Sequence, residues 1–207
     1  KADKAEVLTR IMGEPMADAE QMRSYILQKN PNVAQSVIDM IPLYISEGEA
    51  EGVRGDIAFA QSCLETGNFA FAGSAVTLDQ NNFCGMGVTS RGKKGCSFDT
   101  PQLGIRAQIQ HLKAYASEDA LGNECVDSRF RYVTRGCAEY VEWLGQKENP
   151  NGKGWATGKG YGGKILNILQ DILEIDDRVE VFEPYRVRVS IPNLNIRKGP
   201  GTDCAKT

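Results

Sequence analysis

The sequence predicts an α+β chain that is mainly helical, a body of amphipathic helices interrupted by one small β-hairpin lobe. Three observations predict it. Apolar residues recur at helical period over most of residues 18–175, the stretch from Ala70 to Phe98 turns to Gly, Asn and Ser, and period-two alternation appears only after Pro184. In the first helix Asp18 caps, Gln21 closes a capping box, and Met22, Tyr25 and Ile26 form the apolar face, until Asn30–Pro31 ends it. Ser36 opens the second, through Val37, Ile38, Ile41, Tyr44 and Ile45, with Pro42 requiring a first turn or a kink. The acidic run "SEGEAEG" is expected to close it as a solvated face.

In "DIAFAQSCLETGNF" and its approach, Val53, Ile57, Ala60 and Leu64 fall on one stripe, and Asp56 is a cap or first-turn acid. Gly67 is the expected left-handed stop, which puts Glu65 in the last turn beside the stripe. A carboxylate there opposes the helix dipole, and partial burial adds a desolvation cost. Both favour the protonated form that a general acid needs. The plainer alternative is an exposed glutamate fraying with its helix end.

Within the Gly/Asn-rich segment, "AVTL" and "GMGV" are the strand-like pieces of the expected hairpin. Thr100 and Pro101 then start a helix carrying Ile105, Ile109, Leu112 and Ala116, with His111 off that face as a surface or hydrogen-bonded histidine. A helix near Ala138 to Leu144, a Gly/Asn/Lys-rich loop to Gly163 and a last helix with Ile165, Ile168, Leu169, Ile172 and Leu173 follow. Val187, Val189 and Ile191 alternate with Arg188 and Ser190 in a trailing β fragment.

The composition suits a buried core: 207 residues, 41% hydrophobic and 25% charged. A net charge of -3 opposes non-specific binding to nucleic acid or to anionic membranes. No apolar run approaches the ~18 residues of a membrane span. One histidine and the lack of any C-x-x-C argue against a zinc site, and no metal or cofactor is expected. Cys84 and Cys96 are twelve residues apart, as are Cys125 and Cys137, spacings that fit local disulfides in an exported protein. Each would contribute ~3 kcal/mol in the chain-entropy picture. Cys63 is expected as a free buried thiol, and Cys204 has no evident partner. The start at Lys1 is read as a processed or trimmed product.

The motifs "GVRGDIAFAQSCLETGNFAFAG", "NNFCGMG", "GIRAQIQHLKAYAS" and "RFRYVTRGCAEYVEWLGQKENPNGKGWATGKGYGGKI" together resemble the glucosaminidase domain of bacterial cell-wall hydrolases, glycoside hydrolase family 73, in its clostridia-like form. The resemblance runs from about Met12 to Ile175. It implies a lysozyme-like fold with a groove between helical body and β-lobe, and hydrolysis of GlcNAc-β-1,4-MurNAc bonds in peptidoglycan. The glutamate of the family's "ETG" motif, the general acid, lands on Glu65, and the cleft-lining aromatic of "ATxxxY" on Tyr161. Substrate contacts are expected from Asn82, Phe83, Phe69, Gln61 and Trp155.

The second catalytic group is left open. Asp79 and Asp99 flank the lobe as possible second carboxylates, yet no Asp or Glu lies between Phe83 and Phe98. Substrate assistance by the 2-acetamido group would need none. The terminal "VRVSIPNLNIRKGPGTDCAKT" is similar to the start of a bacterial Src-homology-3-type wall-binding module. The expected organisation is therefore a catalytic domain over 1–180 and a linker with a truncated module over 181–207. The expected partner is the peptidoglycan glycan strand, met by a monomer secreted to the cell wall. A muramidase or lytic transglycosylase on the same fold, or a non-catalytic wall-binding protein, are the alternatives.

Overall fold

The computed structural model describes residues 7–88 and 94–175. The helical expectation holds. Five α-helices form: α1 (Ala19–Lys29), α2 (Gln35–Glu51), α3 (Gly55–Thr66), α4 (Pro101–Ala116) and α5 (Tyr161–Leu173). Asp18 closes the capping box with Gln21, and Thr100 accepts from the Leu103 N–H with Pro101 in the first turn. Gly67 ends α3 at φ 61°.

The centre of the core is α3. From Gly55 to Cys63 every residue is buried, because α3 packs against α2, α4 and α5 at once. Only glycine fits at the α2–α3 approach, where a Cβ on Gly55 would collide with the Tyr44 carbonyl. Phe59 fills the space between these helices, edge-on to Tyr44 at 5.4 Å and 5.8 Å from Phe69. Removing such a ring costs about 3–5 kcal/mol.

Several expectations need correction. The "SEGEAEG" acids do not all face solvent: α2 continues through the run, and Glu47 and Glu51 are 3% and 2% exposed. Arg106 of α4 grips Glu47 at 2.8 and 3.1 Å. Glu51 accepts from Lys113 Nζ at 3.0 Å and from the Gly122 and Asn123 N–H groups at 2.8 and 3.0 Å. Burial pushes both carboxyls up, but these donors outweigh it and hold them below the usual range. Pro42 sits inside α2, beyond its first turn. Between Ala138 and Leu144 only a 3₁₀ turn forms, Val141–Leu144.

The hairpin lobe does not form among the described residues. Residues 70–88 and 94–98 hold turns and bends around one 3₁₀ turn, Leu78–Gln80. Left-handed backbone at Phe71, Asn81, Gly85 and Gly87, with φ between 50° and 78°, interrupts any extended run through "AVTL" or "GMGV". The expected Cys84–Cys96 bridge is absent: both thiols are free, Cys84 beside Asn82 and Cys96 beside Ser128. Asn82 closes this loop instead. Its Nδ2 donates to the Met86 and Cys96 carbonyls at 2.9 Å each, and its Oδ1 accepts from the Met86 N–H at 2.9 Å. Cys125 and Cys137 are free as well, and Cys63 is the buried free thiol expected. The trailing β fragment and the module over 181–207 lie outside the described residues.

Candidate active site

Glu65 closes α3, and its carboxyl is half-buried. Tyr161 opens α5 and is buried, so the two helix termini meet. The Tyr161 hydroxyl donates to Glu65 Oε1 at 2.5 Å. Burial raises the carboxyl pKa above its ordinary value, and the Tyr161 hydrogen bond pulls part of that shift back. Burial and the neighbouring Glu65 charge keep Tyr161 well above the usual phenol range, so it stays a donor. The second oxygen, Oε2, lies toward Gly85, where a Cβ would stand 3.8 Å from it.

Behind Tyr161 runs a buried chain of hydrogen bonds with a single direction. Gln61 Nε2 donates to Tyr161 at 2.9 Å, and Gln108 Nε2 donates to Gln61 Oε1 and to the Ala58 carbonyl, both at 2.9 Å. Ser62 donates to Gln108 Oε1 at 3.0 Å, and Tyr44 donates to Ser62 at 2.9 Å. Each member polarises the next, and the last donor is the one on Glu65. With Oε1 fixed as acceptor, an acidic proton on Glu65 resides on Oε2, the oxygen turned to Gly85.

Gly85 also edges a cleft of about 190 Å³ lined by Met86, Val88, His111, Tyr115, Arg129 and Trp155. His111 is not a surface residue. Its Nδ1 meets Asp127 Oδ2 at 2.6 Å, and its ring stands edge-on to Trp155 at 4.7 Å. Asp127 is fully committed, since its Oδ1 also accepts from the Arg129 N–H at 2.8 Å. Trp155 is held at the cleft by its neighbours: the Ala156 N–H donates to the Leu144 carbonyl at 3.0 Å, and Tyr115 donates to the Gly154 carbonyl at 3.3 Å.

The structure thus separates the residues singled out by sequence. Glu65, Tyr161 and Gln61 come together, and Trp155 lines the cleft. Phe83 and Phe69 do not: they are 0% and 5% exposed, 6.0 Å apart in the aromatic core under the end of α3. Asn82 is buried and spends its side chain on the loop. Asp79 and Asp99 are exposed, in the 3₁₀ turn and just before the Thr100 cap. Reading the sequence missed Gln108, Ser62 and Tyr44 as members of the site, and it passed over Asp127 and Arg129. The one available signal was a pair of glutamines, at 108 and 110, interleaved with the apolar residues Ala107, Ile109 and Leu112 of α4. Among the described residues no cluster of His, Cys, Asp and Glu is arranged to hold a metal ion.

A carboxyl whose pKa is raised by burial, held by one donor near an aromatic cleft on a mainly helical body, is an arrangement suited to the acid of a glycoside hydrolase of lysozyme-like type. A family model described as "Glucosaminidase: Mannosyl-glycoprotein endo-beta-N-acetylglucosaminidase" matches residues 41–174, and the chain belongs to that family. It is a glycosidase of the cell wall that hydrolyses peptidoglycan. The chain is also 37% identical over 175 residues to an uncharacterized protein of Borreliella burgdorferi, a match covering 84% of this chain and 82% of the relative. No helix among the described residues is long and apolar enough to cross a membrane.

Proposed function

We propose that the protein cleaves GlcNAc-β-1,4-MurNAc bonds with Glu65 as the general acid. The observation that carries this reading is the Tyr161–Glu65 hydrogen bond, which fills Oε1 and leaves Oε2, the oxygen turned to Gly85 at the edge of the cleft, to carry the acidic proton. Glu65 gives its proton to the glycosidic oxygen as the bond from that oxygen to the sugar C1 breaks. The second group is the substrate's own 2-acetamido oxygen, which bonds to C1 as the leaving sugar departs. Water then opens the resulting ring, and its proton returns to Glu65. Substrate assistance is favoured because, among the described residues, no free carboxylate lines the cleft beside Glu65: Asp127 is tied to His111, and Asp79 and Asp99 are solvent-exposed.

The same reading places the enzyme outside the cell, secreted to the wall, where its polymeric substrate lies, and acting as a monomer. Residues 181–207 are assigned to a linker and the start of a Src-homology-3-type module on sequence similarity alone. The clostridia-like form of the family is likewise inferred from the motifs. Digestion of purified peptidoglycan followed by mass spectrometry tests the bond: reducing-end GlcNAc products are expected. Anhydro-MurNAc ends would mean a lytic transglycosylase, and reducing MurNAc ends a muramidase. Glu65→Gln is expected to lower turnover ~10²–10⁴-fold or more with the fold intact. Retention of above a tenth of the wild-type rate would remove Glu65 from the role.

A further inference from the structure

The cleft edged by Gly85 has a second depression next to it, on the other side of Tyr115. Tyr115 lines both, and the second, of about 240 Å³, is bordered by Tyr132, Thr134, Gln146 and Lys153. The segment between them has an unexpected charge for a chain of net -3: "SRFRYVTRGCA", from Ser128 to Ala138, holds three arginines and no acid. Arg129 lines the first cleft, its guanidinium 5.5 Å from the centre of the Tyr132 ring. Arg131 lies 4.9 Å from the same ring and donates to its hydroxyl at 2.8 Å. Tyr132 is nevertheless 64% exposed, an aromatic face held out to solvent between two cations.

Neither arginine is ion-paired among the described residues. The nearest acid in sequence, Asp127, is already spent on His111 and on the Arg129 backbone N–H. Lys153, beside the second depression, bonds only the Thr134 hydroxyl, at 3.3 Å. Trp155, Tyr115 and Tyr132 offer apolar faces on which sugar rings stack. The unpaired guanidiniums offer planar forks that match a carboxylate. The third arginine is not free for this: Arg135 donates to the Ser117 and Asp119 carbonyls at 3.0 and 2.7 Å.

We infer that Arg129 and Arg131 form a carboxylate-recognising extension of the cleft, which makes the enzyme prefer acid-bearing glycan strands to neutral N-acetylglucosamine polymers. This rests on the peptidoglycan reading above and adds what selects the strand. The carboxylate has two sources in that polymer, the lactyl group on the muramic ring and the peptide attached to it.

The test uses the Glu65→Gln protein, which holds ligand without turning it over, in titration calorimetry against three soluble ligands: peptide-free glycan strands with free lactyl carboxylates, peptide-bearing strands, and neutral N-acetylglucosamine oligomers. Adding Arg129→Gln is expected to weaken strand binding about tenfold or more while leaving the neutral oligomer unchanged. Arg129→Lys should recover part of the loss, because it keeps the charge and loses the fork. Loss on peptide-free strands assigns the lactyl carboxylate; loss confined to peptide-bearing strands assigns the peptide. The Arg129 side chain takes no hydrogen bond within the described fold, so the variant should melt as the parent does. An equal loss on the neutral oligomer, or no loss on either strand, overturns the inference and leaves the peptidoglycan reading standing. A parent protein that binds neither strand overturns both.

Discussion

Behind Glu65, the side chains of Tyr161, Gln61, Gln108, Ser62 and Tyr44 link α5, α3, α4 and α2 through hydrogen bonds of 2.9–3.0 Å, each buried and each donating toward the carboxyl. In front of it, residues 68–88 make turn after turn, with positive φ at Asn68, Phe69, Phe71, Asn81, Gly85 and Gly87 and little regular structure. The first region owes its shape to satisfied side chains on rigid helices. The second owes it to backbone conformations that only particular residues tolerate, together with one asparagine. A proton donor must be fixed to a few tenths of an ångström, which helices can do. A wall that admits a long polymer needs only a defined outline. The difference predicts that damage behind Glu65 alters chemistry and global stability together, and that damage in front alters binding with the core intact.

Among variants that leave Glu65 itself in place, the largest effect is expected from Tyr161→Phe. It removes the donor on Glu65 Oε1 and leaves Gln61 Nε2 without its acceptor. Turnover should fall ~10²-fold, the scale of losing one preorganised donor in an active site. The pH profile should move as well. Tyr161 lowers the Glu65 pKa, so its loss raises that pKa further. A general acid works only while protonated, and activity is lost as pH rises through its pKa. The alkaline limb of the variant should therefore lie at higher pH than that of the wild type. An unmoved limb with reduced turnover would mean that Tyr161 only packs against the acid.

Next comes Gln108→Leu, two members deeper. It strands Gln61 Oε1 and leaves the Ser62 hydroxyl proton without its acceptor in the core, and each buried group left unpaired costs about 1–3 kcal/mol. Denaturant unfolding should show a large drop in stability, and turnover should fall less than in Tyr161→Phe because the last donor remains. Unchanged stability would show that these groups find other partners, and the chain would then be a set of separate pairs.

The ends of the helices and the pair Glu65 and Tyr161 were legible in the sequence; the rest of the hydrogen-bond chain behind them, and most of the loop wall, were not. The caps at Asp18 and Thr100, the stop at Gly67 and the place of Glu65 in the last turn of α3 all follow from local rules, because each depends on residues within a turn of one another. Glu47 and Glu51 were misread for the opposite reason. Their partners, Arg106 and Lys113, lie 59 and 62 residues away, and an acidic run with no visible cation looks solvated. Gln108 is hidden in the same way, a polar residue of α4 whose partners all lie on α3, 46 to 50 residues away, and leave no local pattern. In the loop wall, Val76 and Met86 have strand-like character, but Asn81, Gly85 and Gly87 govern the backbone between them. Phe69 adopts a left-handed conformation unfavourable for a bulky residue, and it does so because its ring packs against Phe59, Phe71 and Phe83.

For the loop wall, Asn82→Ala should lower kcat/KM about tenfold, since three hydrogen bonds across the loop vanish while the helical body keeps its own. Hydrogen exchange should quicken at residues 82–97 well before α3 or α4 responds. Simultaneous loosening of α3 would show that the two regions are not separable.

The smallest effect is expected at Cys96, where the contrast between the walls is sharpest. If a disulfide pinned this loop, Cys96→Ser would remove ~3 kcal/mol of chain-entropy stabilisation and free the segment. In the structure the Cys96 thiol instead lies 3.8 Å from the Ser128 hydroxyl, half-exposed, while Asn82 takes the Cys96 carbonyl and the Cys96 N–H donates to the Met86 carbonyl at 2.8 Å. The loop is held through the backbone at this position, and a serine preserves every one of those bonds. Cys96→Ser should therefore change stability by no more than about 0.5 kcal/mol and leave activity near the wild-type value. Alkylation without reductant should label Cys96 in the native protein and spare Cys84, whose buried thiol is held well above the usual thiol pKa by desolvation and by the nearby Glu65 charge. Protection of both thiols in the native protein, released together only by reductant, would replace the asparagine clasp with a covalent one.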